Sequence, residues 1–191
     1  KKFVGGRKTY MKFSHSTVEK YTFKFEENDV LTIDKQTFHL SGGHAVFILD
    51  TETYTLSIEC DWGNYCYRWG ANDYETFKQL MCRVSADYLL RKMSSQSVIN
   101  WKKTKKRARE LYFQCGGDPN GDKERVKKFL NEIDRVDENE VRFYDFMTDH
   151  NPELSEGSFF VKEFPMQAQI MAEIFKKYLV EQLKLEMKAV A

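Results

Sequence analysis

"CDWGNYCYRWG", residues Cys60 to Gly70, is the stretch where the chain changes from strand periodicity to helix periodicity. Its aromatic side chains recur at every second position, at Tyr65, Tyr67 and Trp69. The residues between them, which face the other way in a strand, are Asn64, Cys66 and Arg68. Three large aromatic side chains on one face are typical of a sheet that packs against helices. We therefore expect this face to belong to the hydrophobic core.

The residues before this stretch have the pattern of an antiparallel sheet. Apolar and polar side chains alternate with a period of two, and the runs are separated by short turns with residue types that favour them. The runs are 17–26, 30–40, 44–50, 53–61 and 64–69. The first seventy residues therefore predict a meander of about five strands. Residues 1–10 carry little weight, since an open segment could begin at Met11.

The residues after Gly70 have the pattern of helices. Apolar side chains recur at steps of three and four, and glycines, prolines and capping residues separate the runs. The predicted helices are 71–93, 97–114, 123–136, 139–148 and 165–187. Asn72 or Asp73 is the expected N-cap of the first. The sequence thus predicts an α+β fold in which an N-terminal antiparallel sheet packs against C-terminal helices.

The best internal boundary is the "GGDPNG" loop at 116–121, where turn-forming residues are concentrated. It would divide the chain into residues 1–115, with the sheet and two helices, and residues 116–191, a helical portion packed on the same core. A single domain is the alternative.

The overall composition excludes several classes of function. Lys and Arg number 30 and Asp and Glu 29, so the net charge of +1 creates no general attraction to nucleic acid or to membranes. The four cysteines form no CxxC pair and the four histidines form no metal-binding motif, so we expect neither a metal nor a cofactor. The apolar runs are shorter than the roughly 20 residues of a membrane span. We expect a soluble intracellular protein with free thiols.

The strongest local charge lies in "NWKKTKKRAR". Its cations are Lys102, Lys103, Lys105, Lys106, Arg107 and Arg109. On a helix they would surround more than half of the circumference and could bind phosphates or an acidic partner. The alternative is a solvated helix face that is balanced by the acidic run 131–140, with which it could also make contact.

Other candidate contacts are few. No catalytic motif is present, so we expect a protein that is not an enzyme. In the opening stretch Asp61, Trp62 and Arg68 are the side chains expected to remain available to a partner, with Trp62 as an exposed anchor. The last helix has apolar residues at Ile170, Ile174, Tyr178, Leu179 and Leu183 that could form the seam of a homodimer or pack on the sheet.

The region from Tyr54 to Ser94, about a fifth of the chain, resembles small accessory proteins of tailed bacteriophages and prophages. In those proteins an Asp-x-Gly-Asn-Tyr-x-Tyr-x-Trp strand precedes a helix with an Asp-Tyr-Leu-Leu element. The matching residues are Asp61, Gly63, Asn64, Tyr65, Tyr67, Trp69, Phe77, Asp87, Tyr88, Leu89 and Leu90. The pattern departs at Met81, and the resemblance implies no catalytic residue.

The resemblance implies a phage accessory protein that manages the host from within the bacterial cytoplasm. We expect it to bind and inhibit a host protein or nucleoprotein, with anti-CRISPR or other anti-defence activity as examples. The alternative is a nucleic-acid-binding protein of phage DNA metabolism. Both hypotheses use the basic residues between Lys102 and Arg109.

Overall fold

The computed structural model describes residues 10–15, 17–70, 74–94, 98–114, 123–150 and 159–190, with the backbone alone in 10–15 and at 190. Five antiparallel strands form the main sheet in the order β1-β2-β5-β6-β7. They are β1 (Tyr10–His15), β2 (Val18–Lys24), β5 (His44–Asp50), β6 (Thr55–Cys60) and β7 (Gly63–Arg68). Between β2 and β5 the chain forms a separate hairpin of β3 (Val30–Ile33) and β4 (Gln36–His39).

The alternation in the sequence decides which face of the sheet is buried. The side chains that point towards the helices are almost fully buried: Tyr21, Phe23, Phe47, Leu49, Leu56, Ile58 and Cys60. Their neighbours in the strands, such as Lys20, Glu59 and Cys66, are exposed on the other face. The predicted α+β class with an N-terminal antiparallel sheet of about five strands is confirmed.

The strands differ from the predicted ones at two places. Residues 30–40, predicted as one strand of the meander, fold back on themselves as the β3–β4 hairpin. The sheet instead gains β1, which pairs with β2 along its whole length. The hairpin turn consists of Asp34 and Lys35, both with positive φ, at 48° and 69°. This turn type usually contains Asn-Gly, and the absence of glycine hides it in the sequence.

Helices α1 (Phe77–Arg83) and α2 (Ala86–Met93) follow β7. They replace the single helix predicted for this region, because Val84 adopts an extended conformation and Ser85 caps a new helix through a bond from the Tyr88 N–H. The N-cap of α1 is Thr76. The predicted caps, Asn72 and Asp73, lie outside the described residues.

The last helical region begins at Met166, directly after Pro165. It comprises α6 (Met166–Ile174), a π-helical segment (Phe175–Val180) and α7 (Glu181–Val190). The residues proposed as a dimer seam, Ile170, Ile174, Tyr178, Leu179 and Leu183, are all buried in the core beneath the sheet. Of the two expectations for these residues, packing on the sheet is therefore the one that the structure shows.

Residues 97–163 form a second compact unit, here called the helical unit. It contains β8 (Val98–Ile99), α3 (Trp101–Gln114), α4 (Lys123–Glu132), α5 (Glu140–His150) and β9 (Lys162–Glu163), which pairs with β8. Its core is Ala108, Leu111, Tyr112, Phe129, Ile133, Phe143, Met147 and Phe159. Residues 1–96 and 164–191 form the other unit, the sheet unit. This grouping differs from the predicted division after residue 115, because the last helix returns to the sheet.

Candidate functional site

Helix α3 carries the six basic residues, and its apolar stripe decides which side of it faces the core. The Oδ1 of Asn100 accepts the N–H of Lys103 at 2.9 Å and so caps the first turn. Four residues at steps of three and four then face the core of the helical unit: Thr104, Ala108, Leu111 and Tyr112. Thr104 is polar and fully buried, and its hydroxyl accepts the N–H of Val161 at 3.0 Å. The basic side chains occupy the rest of the helix surface.

Three of these six cations are held by groups of the helical unit itself. Lys103 forms an ion pair with Glu163, and Arg109 forms one with Asp134. The Nζ of Lys105 donates to the carbonyls of Asp134 and Val136, at 3.2 and 3.3 Å. The contact between the basic helix and the acidic run 131–140 therefore occurs, and it neutralises part of the charge that was expected to face a partner.

The remaining cations are Lys102, Lys106 and Arg107, which are exposed. The Nη1 of Arg107 lies 3.9 Å from the Oε2 of Glu110 on the same helix, at the outer limit of an ion pair. Lys102 and Lys106 are four residues apart and thus neighbours on one face. Among the residues that the structure describes, neither has an acidic partner. Two like charges at this spacing destabilise a helix slightly, so the fold itself gains nothing from them.

A stripe of four residues runs along the outer side of α3, at spacings of four, three and four. This α3 stripe consists of Lys102, Lys106, Arg109 and Phe113. Phe113 is half-buried, with its ring centroid 5.5 Å from that of Tyr112, so part of an aromatic ring lies in line with the cations. Phe113 was not predicted from the sequence, because it lies outside the basic run. Its helical spacing from the basic residues is the signal that could have identified it.

The three candidate contact residues of the opening stretch lie in the sheet unit, where Asp61 fixes a turn. Asp61 accepts the backbone N–H of His44 at 2.7 Å and approaches its Nδ1 at 2.9 Å. A Cβ on Gly43 would lie 2.8 Å from the same carboxylate, so the glycine allows this close approach. Asp61 thereby joins the β6–β7 turn to the start of β5.

Trp62 is half-buried and not an exposed anchor as predicted. Its ring packs 5.9 Å from that of Phe25, and its carbonyl accepts the hydroxyl of Tyr65 at 3.0 Å. An indole that already covers the edge of the core has less surface to offer a partner. The tight turn between β6 and β7 folds Trp62 back onto Phe25.

Arg68 lies at the other end of β7 from Asp61, since it pairs with Thr55 while Gly63 pairs with Cys60. Its Nε donates to the carbonyl of Thr53 at 3.1 Å. The nearby Asp50 accepts hydrogen bonds from Thr53, which, with a smaller contribution from Arg68, hold the pKa of its carboxyl below the usual range. The opening stretch therefore places its three candidates at two separate ends of the sheet.

The thiols of the opening stretch are separated by the sheet itself. Cys60 is buried and donates to the carbonyl of Gly63 at 3.2 Å, and burial raises the pKa of its thiol. Cys66 is exposed on the opposite face, 3.3 Å from the hydroxyl of Ser57. Within the described ranges, no three His, Cys, Asp or Glu side chains converge as a metal site. None of the helices in those ranges is long and apolar enough to cross a membrane.

Comparison with known proteins assigns the chain to a family. A model of a phage family, Phage_phiTE_072, matches residues 11–186 and so covers both units. Neither the curated proteins nor the solved structures give a match. The phage origin implied by the opening stretch is thus confirmed at the level of the family. The chain belongs to the Phage_phiTE_072 phage family.

Proposed function

We propose that this phage-family protein acts by binding and not by catalysis, and that it inhibits a host protein or nucleoprotein in the bacterial cytoplasm. Anti-CRISPR and other anti-defence activities are examples of such a role. The observation that carries the proposal is the α3 stripe, in which Lys102 and Lys106 stand side by side without an acidic partner among the described residues.

An acidic surface on the partner would compensate these two charges. Long-range attraction between complementary charges speeds association, and cations at the rim of an interface set its orientation. Phe113, in line with them, would supply the aromatic contact that often dominates binding energy. Side chains that do not stabilise the fold are candidates for contact with another molecule.

The alternative, a nucleic-acid-binding protein of phage DNA metabolism, uses the same cations and makes a different quantitative prediction. Six phosphate contacts would give a slope of log affinity against log salt of about −5, whereas the three exposed cations would give about −3. Lys103, Lys105 and Arg109 are already bound to groups of the helical unit, so the weaker slope is the one that this surface supports.

The test is a pull-down from the bacterial host followed by binding measurements with the purified partner. The Lys102→Glu/Lys106→Glu variant should weaken the partner's affinity by tenfold or more, because it turns attraction to an acidic surface into repulsion. Lys127→Glu/Lys128→Glu is the matched control, since it makes the same charge change at exposed positions of α4 in the same unit. The partner's own activity, measured with and without the protein, tests inhibition.

Equal weakening by both variants would show only a general charge effect and would contradict the choice of surface. Retention of the partner by the α3 variant would contradict it as well. A gel shift with random DNA or RNA at low and moderate salt tests the alternative. Binding at low salt that the α3 variant abolishes would favour nucleic acid over an acidic protein surface.

A further inference from the structure

Strand β7 is the last strand of the main sheet, and one of its edges is unpaired among the described residues. The N–H of Trp69 donates to the carbonyl of Tyr54 at 2.9 Å, so the backbone N–H and C=O of Trp69 point to the β6 side. In an antiparallel pair this orientation alternates along the strand. The N–H and C=O groups of Asn64, Cys66 and Arg68 therefore point away from β6, along the open edge.

Apart from the charge of Arg68 at its end, the open edge lacks the features that usually prevent strand pairing. Sheets protect their edges with prolines, lysines, bulges or very short strands. Gly63–Arg68 contains neither proline nor lysine, and its register with β6 runs without a bulge from Thr55 opposite Arg68 to Cys60 opposite Gly63. A regular six-residue edge of this kind is a template for another strand.

We propose that two copies of this chain pair through β7, antiparallel, across a two-fold axis at Cys66. In that register Cys66 faces Cys66 of the second copy, and Asn64 faces Arg68 of the second copy. Each of these facing pairs exchanges two main-chain hydrogen bonds, because their N–H and C=O groups all lie on the open edge. The two sheets then form one continuous sheet with an isologous interface, the commonest arrangement in homodimers.

The charges on the outer face favour a second copy over another partner. Glu59 lies beside Asn64 in the register and is exposed, with no cationic partner in the described part of the chain. Within one copy, Arg68 lies four residues further along the strands than Glu59 does. At the rise of a β-strand this is a separation of about 13 Å. In the dimer, Arg68 of the second copy lies one strand beyond Asn64, about 10 Å from Glu59 between Cα atoms. The two long side chains can meet over Asn64.

To make this pair, Arg68 turns away from its own β5–β6 turn. In a single copy its Nε donates to the carbonyl of Thr53, and in the dimer its long side chain exchanges that contact for the carboxylate of Glu59. By symmetry the dimer contains the pair twice. A strand of different sequence would satisfy the open backbone groups but would bring no arginine to Glu59 by the same symmetry.

The inner face is also self-complementary. The same register places Tyr65 opposite Tyr67 of the second copy, a cross-strand aromatic pair of the kind that stabilises sheets. Both tyrosines are only half-buried in one copy. Tyr88 of α2 is 41% exposed nearby, and Lys92 lies 5.3 Å from the Tyr67 ring and 5.5 Å from the Tyr88 ring. Pairing would bury part of this aromatic surface.

The dimer is independent of the proposed function. Sedimentation and light scattering of the full chain over a range of concentrations test it. The wild-type protein should dimerise. Cys66→Lys should weaken the dimer by at least tenfold, since it places two like charges face to face at the axis. Cys66→Ser, which keeps the size and neutrality, is the control and should leave the dimer in place.

Two further variants separate the interface from folding. Cys66→Pro removes an N–H that points away from β6, so it blocks the pairing between copies while the ladder to β6 stays whole. Glu59→Arg should weaken the dimer, and Glu59→Arg/Arg68→Glu should restore it by exchanging the two charges. Circular dichroism establishes that each variant is folded.

A short thiol-to-thiol cross-linker should join Cys66 to Cys66 of the second copy, and mass spectrometry of the linked peptide identifies the pair. A wild-type protein that is monomeric at every concentration overturns the proposal. So does a dimer whose dissociation constant is unchanged in Cys66→Lys and in Glu59→Arg.

Discussion

Glu163 is the side chain on which the start of α3 and the strand β9 converge. Its Oε2 accepts the side-chain N–H of Asn100 at 2.7 Å, and its Oε1 forms the ion pair with Lys103. These two contacts, the hydrogen bond from Asn100 first, hold the pKa of Glu163 below its usual range. The same asparagine caps α3, so one carboxylate helps to set where the basic helix begins.

This geometry predicts how the stability of the helical unit depends on pH. The pKa of Glu163 is lower in the folded chain than in the unfolded one, so its stabilisation is complete above the ordinary carboxyl value of about 4.3. It is lost as the pH falls through the lowered value. Glu163→Gln should be less stable than the wild type at neutral pH, and the difference should shrink in acid. Denaturant unfolding followed between neutral and acidic pH measures it.

Glu140→Gln is the control for this prediction. Glu140 is a more exposed carboxylate in the first turn of α5, and its Oε1 lies 4.0 Å from the Nζ of Lys162, at the limit of an ion pair. Its substitution should change the acid dependence much less than that of Glu163. A difference between wild type and Glu163→Gln that stays constant with pH would contradict the assigned role of Glu163.

Among the elements, the β3–β4 hairpin has a turn in which both central residues have positive φ and neither is glycine. Lys35 has a φ of 69° in a two-residue turn where glycine is the usual choice. A side chain in the left-handed region costs the folded state roughly 1–2 kcal/mol. Glycine avoids this cost, but it also stabilises the unfolded chain by giving it more conformational entropy, so only part of the cost is gained. Lys35→Gly should raise the free energy of unfolding by up to about 1 kcal/mol.

Glu27→Gly serves as the control for the hairpin variant, since Glu27 lies in an exposed turn without positive φ. There glycine only adds freedom to the unfolded chain, so no gain is expected. Thermal and denaturant melts of both variants decide the question. A loss of stability in Lys35→Gly would show that the lysine side chain has a role other than filling the turn.

At the scale of the whole molecule, each compact unit has its own hydrophobic core. Phe129 is fully buried in the helical unit, where its ring stacks on that of Tyr112 with 3.9 Å between centroids. Phe47 is fully buried in the sheet unit against Phe23 and Phe175. Truncation of either ring to alanine should cost about 3–5 kcal/mol in its own core.

The expected readout of these truncations is local. Phe129→Ala should reduce amide hydrogen-exchange protection across residues 97–163 and leave the strands of the main sheet protected. Phe47→Ala should do the converse. Equal loss of protection in both units after either change would mean that the two cores unfold as one.

Much of the sheet could be predicted, because alternation is a local property of the chain. The strands 44–50, 55–60 and 63–68 and their buried faces follow from the side chains at every second position. The α+β class follows from the change of period after Gly70. The β3–β4 hairpin and the break at Val84 were missed, because a turn without glycine and a helix restart at Ser85 carry weak local signals.

The basic helix was also visible in the sequence, but the use of its charges was not. Lys103 and Glu163 are 60 residues apart, and Arg109 and Asp134 are 25 apart, so neither pair has a local signature. Composition and periodicity were sufficient for the elements and their buried faces, since neighbouring side chains share one surface. Only the tertiary structure decided which strands pair, where the last helix packs and which cations are already neutralised, because those outcomes depend on contacts between distant parts of the chain.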